Sequence, residues 1–354
     1  MTIRRTSIFL SGLFGPLMVL GQVTFVEKQV AYFQQEVDYT IAVRLDDAAH
    51  VLHASESFIY TNNSTTTLDT LWIHLWPNAY RDKTSALCKQ LVDGNDLDLY
   101  FAKEEERGWI DSLDFRTGDS KLNWGYHPVH GDIGWVKLSE PLAPGSSTTI
   151  TTPFRVKIPD GKFSRLGHTE QAYYITQWYP KPAVFDATGW HAMPYLGNGE
   201  FYSELGSFDV HITLPANYIV GATGLLQEQT ERTWMDSLST VPNDGKGPNS
   251  FPASKTELKT ISFKQGNVHD FAWFADKRFV VRKSEVLLPR SGRTVTTWAF
   301  STPKNVRLWS DAVSYVNESV RLYSQWVGDY PYDVCTAVDG TISAGSGMEY
   351  PMIT

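Results

Sequence analysis

The sequence predicts a mainly β protein, a β-sandwich that gives way to a helical segment only near its end. Three observations lead there: apolar and polar residues alternate in short runs, turn clusters separate those runs, and the period becomes helical after Phe300. The aromatic load agrees, with 12 Trp, 17 Tyr and 18 Phe in 354 residues, because aromatic side chains suit half-buried pleated surfaces.

The alternation is clearest where Phe208, Val210, Ile212 and Leu214 interleave with Asp209, His211 and Thr213, as in a strand buried on one face. Pro215, Ala216 and Asn217 then supply a turn. Further strand candidates lie at 39–45, 57–61, 70–75, 135–138, 148–152, 218–222, 258–264, 270–275 and 295–300. The stretch 242–255 is rich in Pro, Gly, Asn and Ser and reads as a surface loop. Val306, Trp309, Ala312, Val313, Val316, Val320, Tyr323 and Val327 then recur at three- and four-residue spacing, which puts them on one face of a helix. Thr302 with Pro303 opens that helix, and Gly328 and Pro331 close it. A strand candidate at 334–338 follows. The predicted helix carries a broad apolar face, which further protein would normally cover.

The first 21 residues place Arg4 and Arg5 before a mostly apolar run at 8–20 and the small residue Gly21. That is the order of a secretory signal peptide, so we expect an exported protein, periplasmic or extracellular. The run is too short for a membrane span and is interrupted by Ser11, Gly12, Gly15 and Pro16. Lys plus Arg is 31 against 39 for Asp plus Glu, a net charge of −8. No basic excess marks a nucleic-acid partner. Cys88 and Cys335 permit a disulfide without implying one, and Cys335 reads as a small core residue.

Three strings carry the chemistry: Gly345-Ser-Gly347-Met348-Glu349-Tyr350-Pro351, Thr176-Gln177-Trp178-Tyr179-Pro180-Lys181, and Val268-His-Asp270-Phe-Ala-Trp273. In the first, Gly345 and Gly347 let the backbone bend or lie close to a ligand, and Glu349 projects a carboxylate from a strand edge. A carboxylate there suits the free α-ammonium of a peptide, while exposed strand groups bond its backbone. Glu349 also reads simply as a residue on a solvent-facing turn.

In this order the strings resemble the aminopeptidase N family of zinc metallopeptidases, with a further likeness to secreted bacterial members around 190–224. The resemblance spans nearly the whole chain after the leader. It implies a saddle-shaped N-terminal β domain at 22–300 and, at 301–354, the start of a thermolysin-like α+β catalytic domain. It implies that Glu349, in the family's glycine-rich motif, anchors the substrate N-terminus. Gln177 matches a glutamine lining the substrate edge, so Gln177, Tyr179, Gly345, Gly347, Met348 and Glu349 are the candidate substrate-binding residues. Two positions depart from the family: Tyr350 replaces the usual Asn, and Tyr179 falls where many members carry a second anchoring Glu.

The family's zinc needs H-E-x-x-H on a helix with a further Glu downstream, and none of the nine histidines is followed by Glu. The family therefore implies zinc, while this chain is expected to bind none and to be inactive alone. His127 and His130 show H-x-x-H spacing, but Gly125, Pro128 and Gly131 make the segment a loop. His269 beside Asp270 lacks a nucleophile with motif support. The expected partners are peptide or protein N-termini and, for the apolar helix face, the rest of a catalytic domain. Two other readings stay open: a non-catalytic peptide-binding or interaction protein derived from the family, and a carbohydrate-binding β-sandwich.

Overall fold

The computed structural model describes residues 32–199, 201–242, 249–340 and 347–354. Its largest sheet has nine strands. From one edge the order is Leu225–Leu226, Leu258–Val268, Gly206–Pro215, Glu36–Asp46, Val51–Thr61, Ser147–Lys157, Arg116–Thr117 and Ser120–Lys121, with Trp109–Asp111 also on Ser147–Lys157. Glu36–Asp46 runs parallel to Gly206–Pro215 and its other neighbours pair antiparallel. As the alternation predicts, Phe208, Val210, Ile212 and Leu214 are buried while Asp209, His211 and Thr213 are only partly covered. Gly206 is required at the parallel pair, since a Cβ there would lie 1.8 Å from the Val37 carbonyl oxygen.

Two four-stranded sheets share this core. One has the order Gly167–Thr169, Ala172–Ile175, Trp273–Asp276, Ile219–Ala222; the other has Lys181–Pro182, Leu68–His74, Ile133–Leu142, Asn123–Tyr126. Tyr39, Ile73, Tyr173, Trp178, Phe208 and Trp273 all belong to one apolar cluster, so the sheets are layers of a single interior.

A three-stranded sheet follows. Val280–Leu287 pairs antiparallel with Thr294–Ser301, which pairs parallel with Val334–Val338. The helix Ala312–Trp326 connects the parallel strands, and its Val320 packs with Val286, Leu288 and Val295. Phe300 falls inside a strand of this sheet, and Phe33–Thr354 make up one compact unit.

The helix begins later than its periodicity predicts. Pro303–Asn305 is a short 3-10 turn, and the α-helix starts at Ala312. Asp339 accounts for the first turn: its carboxylate accepts from the Thr302 amide (2.9 Å), the Thr302 hydroxyl (2.6 Å) and the Asn305 side chain (3.0 Å). Val306 is buried, whereas Tyr323 and Val327 are 64% and 79% exposed, so only part of the predicted face is packed. Of the predicted strand 270–275, Asp270–Ala272 likewise fall outside the observed one, which is Trp273–Asp276. Cys88 is buried and Cys335 half-buried, and both are free thiols. Among the described residues no helix is long and apolar enough to cross a membrane.

Candidate functional site

Residues 172–184 are all buried, a run that crosses the interior from one four-stranded sheet to the other. A chain buried for that length must satisfy its polar groups internally. Gln177 makes the turn possible with a left-handed backbone (φ 47°), an uncommon conformation for a residue with a side chain.

Asp270 is the hub. Its Oδ1 accepts from the Tyr179 hydroxyl at 2.7 Å and from the Phe271 amide at 2.9 Å. Its Oδ2 accepts from Gln177 Nε2 at 3.3 Å and lies 3.2 Å from Lys181 Nζ. Burial pushes the Asp270 carboxyl up, but the Lys181 ammonium, the Tyr179 hydroxyl and the Phe271 amide together hold it below the ordinary carboxylate value. Burial lowers Lys181, and the Asp270 carboxylate opposes that shift. The ammonium sits over the Trp76 ring, 4.7 Å from its centroid, a contact that suits a desolvated cation. His74 stacks on the same indole at 4.3 Å, and its Nε2 accepts from the Met193 amide. Burial, reinforced by Lys181, lowers His74 to about 3, so its imidazole is neutral.

Gln177 joins the strings. While Nε2 donates to Asp270, Oε1 accepts from the Tyr350 hydroxyl at 3.1 Å. Tyr350 is buried among Ala172, Tyr174, Ala272, Phe274 and Ile353, with Met348 packed alongside. Thr223 ties the next residue in, donating to the Pro351 carbonyl at 3.0 Å and accepting from the Ala272 amide at 3.2 Å. The closing segment also extends the three-stranded sheet: Thr336 donates to Met352, Thr354 to Thr336, and Val338 to Thr354.

The candidate residues therefore divide. Gln177 and Tyr179 are 2% exposed with their polar atoms engaged, so they face one another and Asp270 rather than solvent. Glu349 and Gly347 are exposed and Met348 is half-buried. Gly345 lies outside the described residues. The departure at 350 has a structural counterpart, because Tyr350 reaches the interior glutamine through its ring and hydroxyl. Asp270 and Lys181 stand in the strings without a role assigned from sequence. The available signal was charge type: one acid and one base, each embedded in apolar text.

Among the described residues no three of His, Cys, Asp and Glu are grouped to hold a metal. His127 Nδ1 instead accepts from the Val129 and His130 amides, closing the predicted loop. His191 and His211 each face a single carboxylate, Asp186 and Asp209.

No family model and no curated protein matches the sequence. Solved structures do match the fold. An M1 zinc metallopeptidase from Deinococcus radiodurans aligns with a TM-score of 0.51 at 15% identity, covering 86% of this chain and 56% of that one. A mutant of the D. radiodurans enzyme bound to a Tyr-Ser-Ala substrate gives 0.52 at 14%, covering 89% and 62%. A two-domain M1 zinc metallopeptidase mutant bound to L-tryptophan gives 0.53 at 14%, with the same coverage. The chain thus spans 56–62% of the length of these structures and has, over that span, the mainly β fold of M1 zinc metallopeptidases.

Proposed function

We propose that the chain is the N-terminal part of an exported zinc aminopeptidase resembling aminopeptidase N, and that it supplies the element gripping a peptide's N-terminus. The observation that carries this reading is the Tyr350–Gln177–Asp270 chain of hydrogen bonds. It fixes the backbone one residue beyond Glu349, so an exposed carboxylate is presented from a buried, immobilised base. A carboxylate held there forms a charge-assisted pair with an α-ammonium. Gln177 and Tyr179 act as positioning residues, and Gly347 with Met348 sets the backbone leading into the anchor. The chain's own residues bind and orient; no hydrolytic step is assigned to them.

In this reading 22–300 is the N-terminal domain and 301–354 opens the second. Leu308, Tyr315 and Trp326, exposed at 80%, 67% and 66%, belong to the face that the remainder of a catalytic domain covers. The test is peptide binding measured with free and with N-acetylated peptides of one sequence. The free amine binds more tightly, and Glu349→Gln abolishes the difference. Equal affinity for both peptides in the unaltered chain overturns the reading.

A further inference from the structure

Away from Glu349, the edge of the Ile219–Ala222 strand borders a cavity of about 310 Å³. Leu226, Met235, Trp298 and Val334 supply much of the remaining wall. The volume falls within the range of roughly 300–1,000 Å³ typical of ligand sites, which are mostly apolar and lie where structural layers meet.

The backbone at this wall is unfinished. Gly221 pairs with Phe274 and Ala222 with Trp273, and the Thr223 amide donates to the Ala272 carbonyl at 2.9 Å. In an antiparallel ladder inward and outward groups alternate. Gly221 and Thr223 therefore bond the Trp273–Asp276 strand, and the N–H and C=O of Val220 and Ala222 point out over the cavity. Both residues are only 4% exposed. Among the described residues no hydrogen bond reaches these groups, although buried backbone polar groups are nearly always paired. An extended peptide laid along the edge supplies the missing partners, as in β-strand addition.

The rim indicates which peptide. Lys283 is paired with Asp236 at 2.7 Å, Asp333 with Arg293, and Arg232 donates to the Leu226 and Gln227 carbonyls. Lys283, Asp236 and Asp333 are thus held in ion pairs and Arg232 by backbone carbonyls, and the wall between them is largely apolar, which favours an uncharged side chain. We propose that the cavity binds an extended, uncharged apolar peptide segment as an added strand on the Ile219–Ala222 edge. This site goes beyond the Glu349 reading, because it recognises backbone and apolar side chains and needs no free α-ammonium.

The test uses the full chain and the blocked peptide acetyl-Val-Ala-Val-Ala-amide, which has no terminal charge. Saturable binding is expected, with amide exchange at Val220 and Ala222 slowed at least about tenfold and Gly221 unchanged. Ala222→Pro removes one outward donor and leaves the ladder intact, so affinity should fall about tenfold, one hydrogen bond's worth. Thr296→Trp, which fills the cavity from the opposite wall, should abolish binding and serves if the proline variant does not fold. Glu349→Gln should leave this binding unaltered, which separates the two sites. Absence of saturable binding overturns the proposal. So does unchanged exchange at saturation, or full protection of both amides before peptide is added, which would show that the chain itself already occupies the edge.

Discussion

Asp270 and Glu56 are both acids sunk in the interior, and they meet opposite surroundings. Asp270 has a lysine, a phenol, an amide and a carboxamide within reach. Glu56 lies on Val51–Thr61 opposite Ile41 and Thr152, and among the described residues neither of its oxygens has a hydrogen-bond partner. Burial alone pushes Glu56 well above the ordinary value, whereas the partners of Asp270 overcome burial and hold it low. The same residue class at the same depth is thus a charged hub in one place and a neutral filler in the other. Only the hub connects the strings that carry the chemistry.

Breaking the hub should have the largest effect. Asp270→Ala strands Lys181 in the core and should cost about 3–5 kcal/mol in chemical denaturation. Adding Lys181→Met should restore most of that loss, since no unpaired charge remains. Because the Asp270 value is depressed, its contribution is present above the unfolded value of 3.8 and disappears as pH falls through the folded value. Tyr179→Phe removes one bond to an ionised acceptor and should cost about 1.5–3 kcal/mol in the same assay.

Glu56 sharpens the contrast with the opposite sign. Its folded value is raised, so it erodes stability as pH rises above the unfolded 4.5. Relative to the unaltered chain, Glu56→Gln should gain at least about 1.4 kcal/mol between pH 4 and pH 8, the equivalent of one pKa unit. A pH-independent difference would mean that Glu56 is not a neutral acid in the fold. The smallest effect is at the link to the surface: Tyr350→Phe should cost only about 1 kcal/mol. That substitution should nonetheless narrow the preference for free over acetylated peptides, because it loosens the base that presents Glu349.

The sequence made the one-sided strands legible, since a polar residue at every second position marks them. Gly206–Pro215 is such a case. Ala172–Ile175 is buried on both faces and leaves no polar half to read, which is why no strand is predicted there. Val280–Leu287 hides for another reason: Arg282, Lys283 and Glu285 break its apolar run, and only its three-stranded sheet reveals the pairing. The helix Gln229–Ser239 buries only Glu231 and Met235, so its periodicity is faint. At the candidate site the three strings were visible, but their meeting was not. Gln177 and Tyr350 are far apart in the chain, and no local pattern encodes that hydrogen bond. Gln177 and Tyr179 look like edge residues in the one-dimensional text because burial is decided by the layers around them.

The clamps on either side of the glycine-rich segment have a consequence for how its length can vary. Asp339 is pinned by Thr302 and Asn305, and Tyr350 through Thr354 are pinned by Gln177, Thr223 and the Val334–Val338 strand. The two sets of bonds share no residue, so each end is held on its own. Glu349 should keep its place when the chain between the clamps changes length, because its position is measured from Tyr350 backwards rather than from Asp339 forwards.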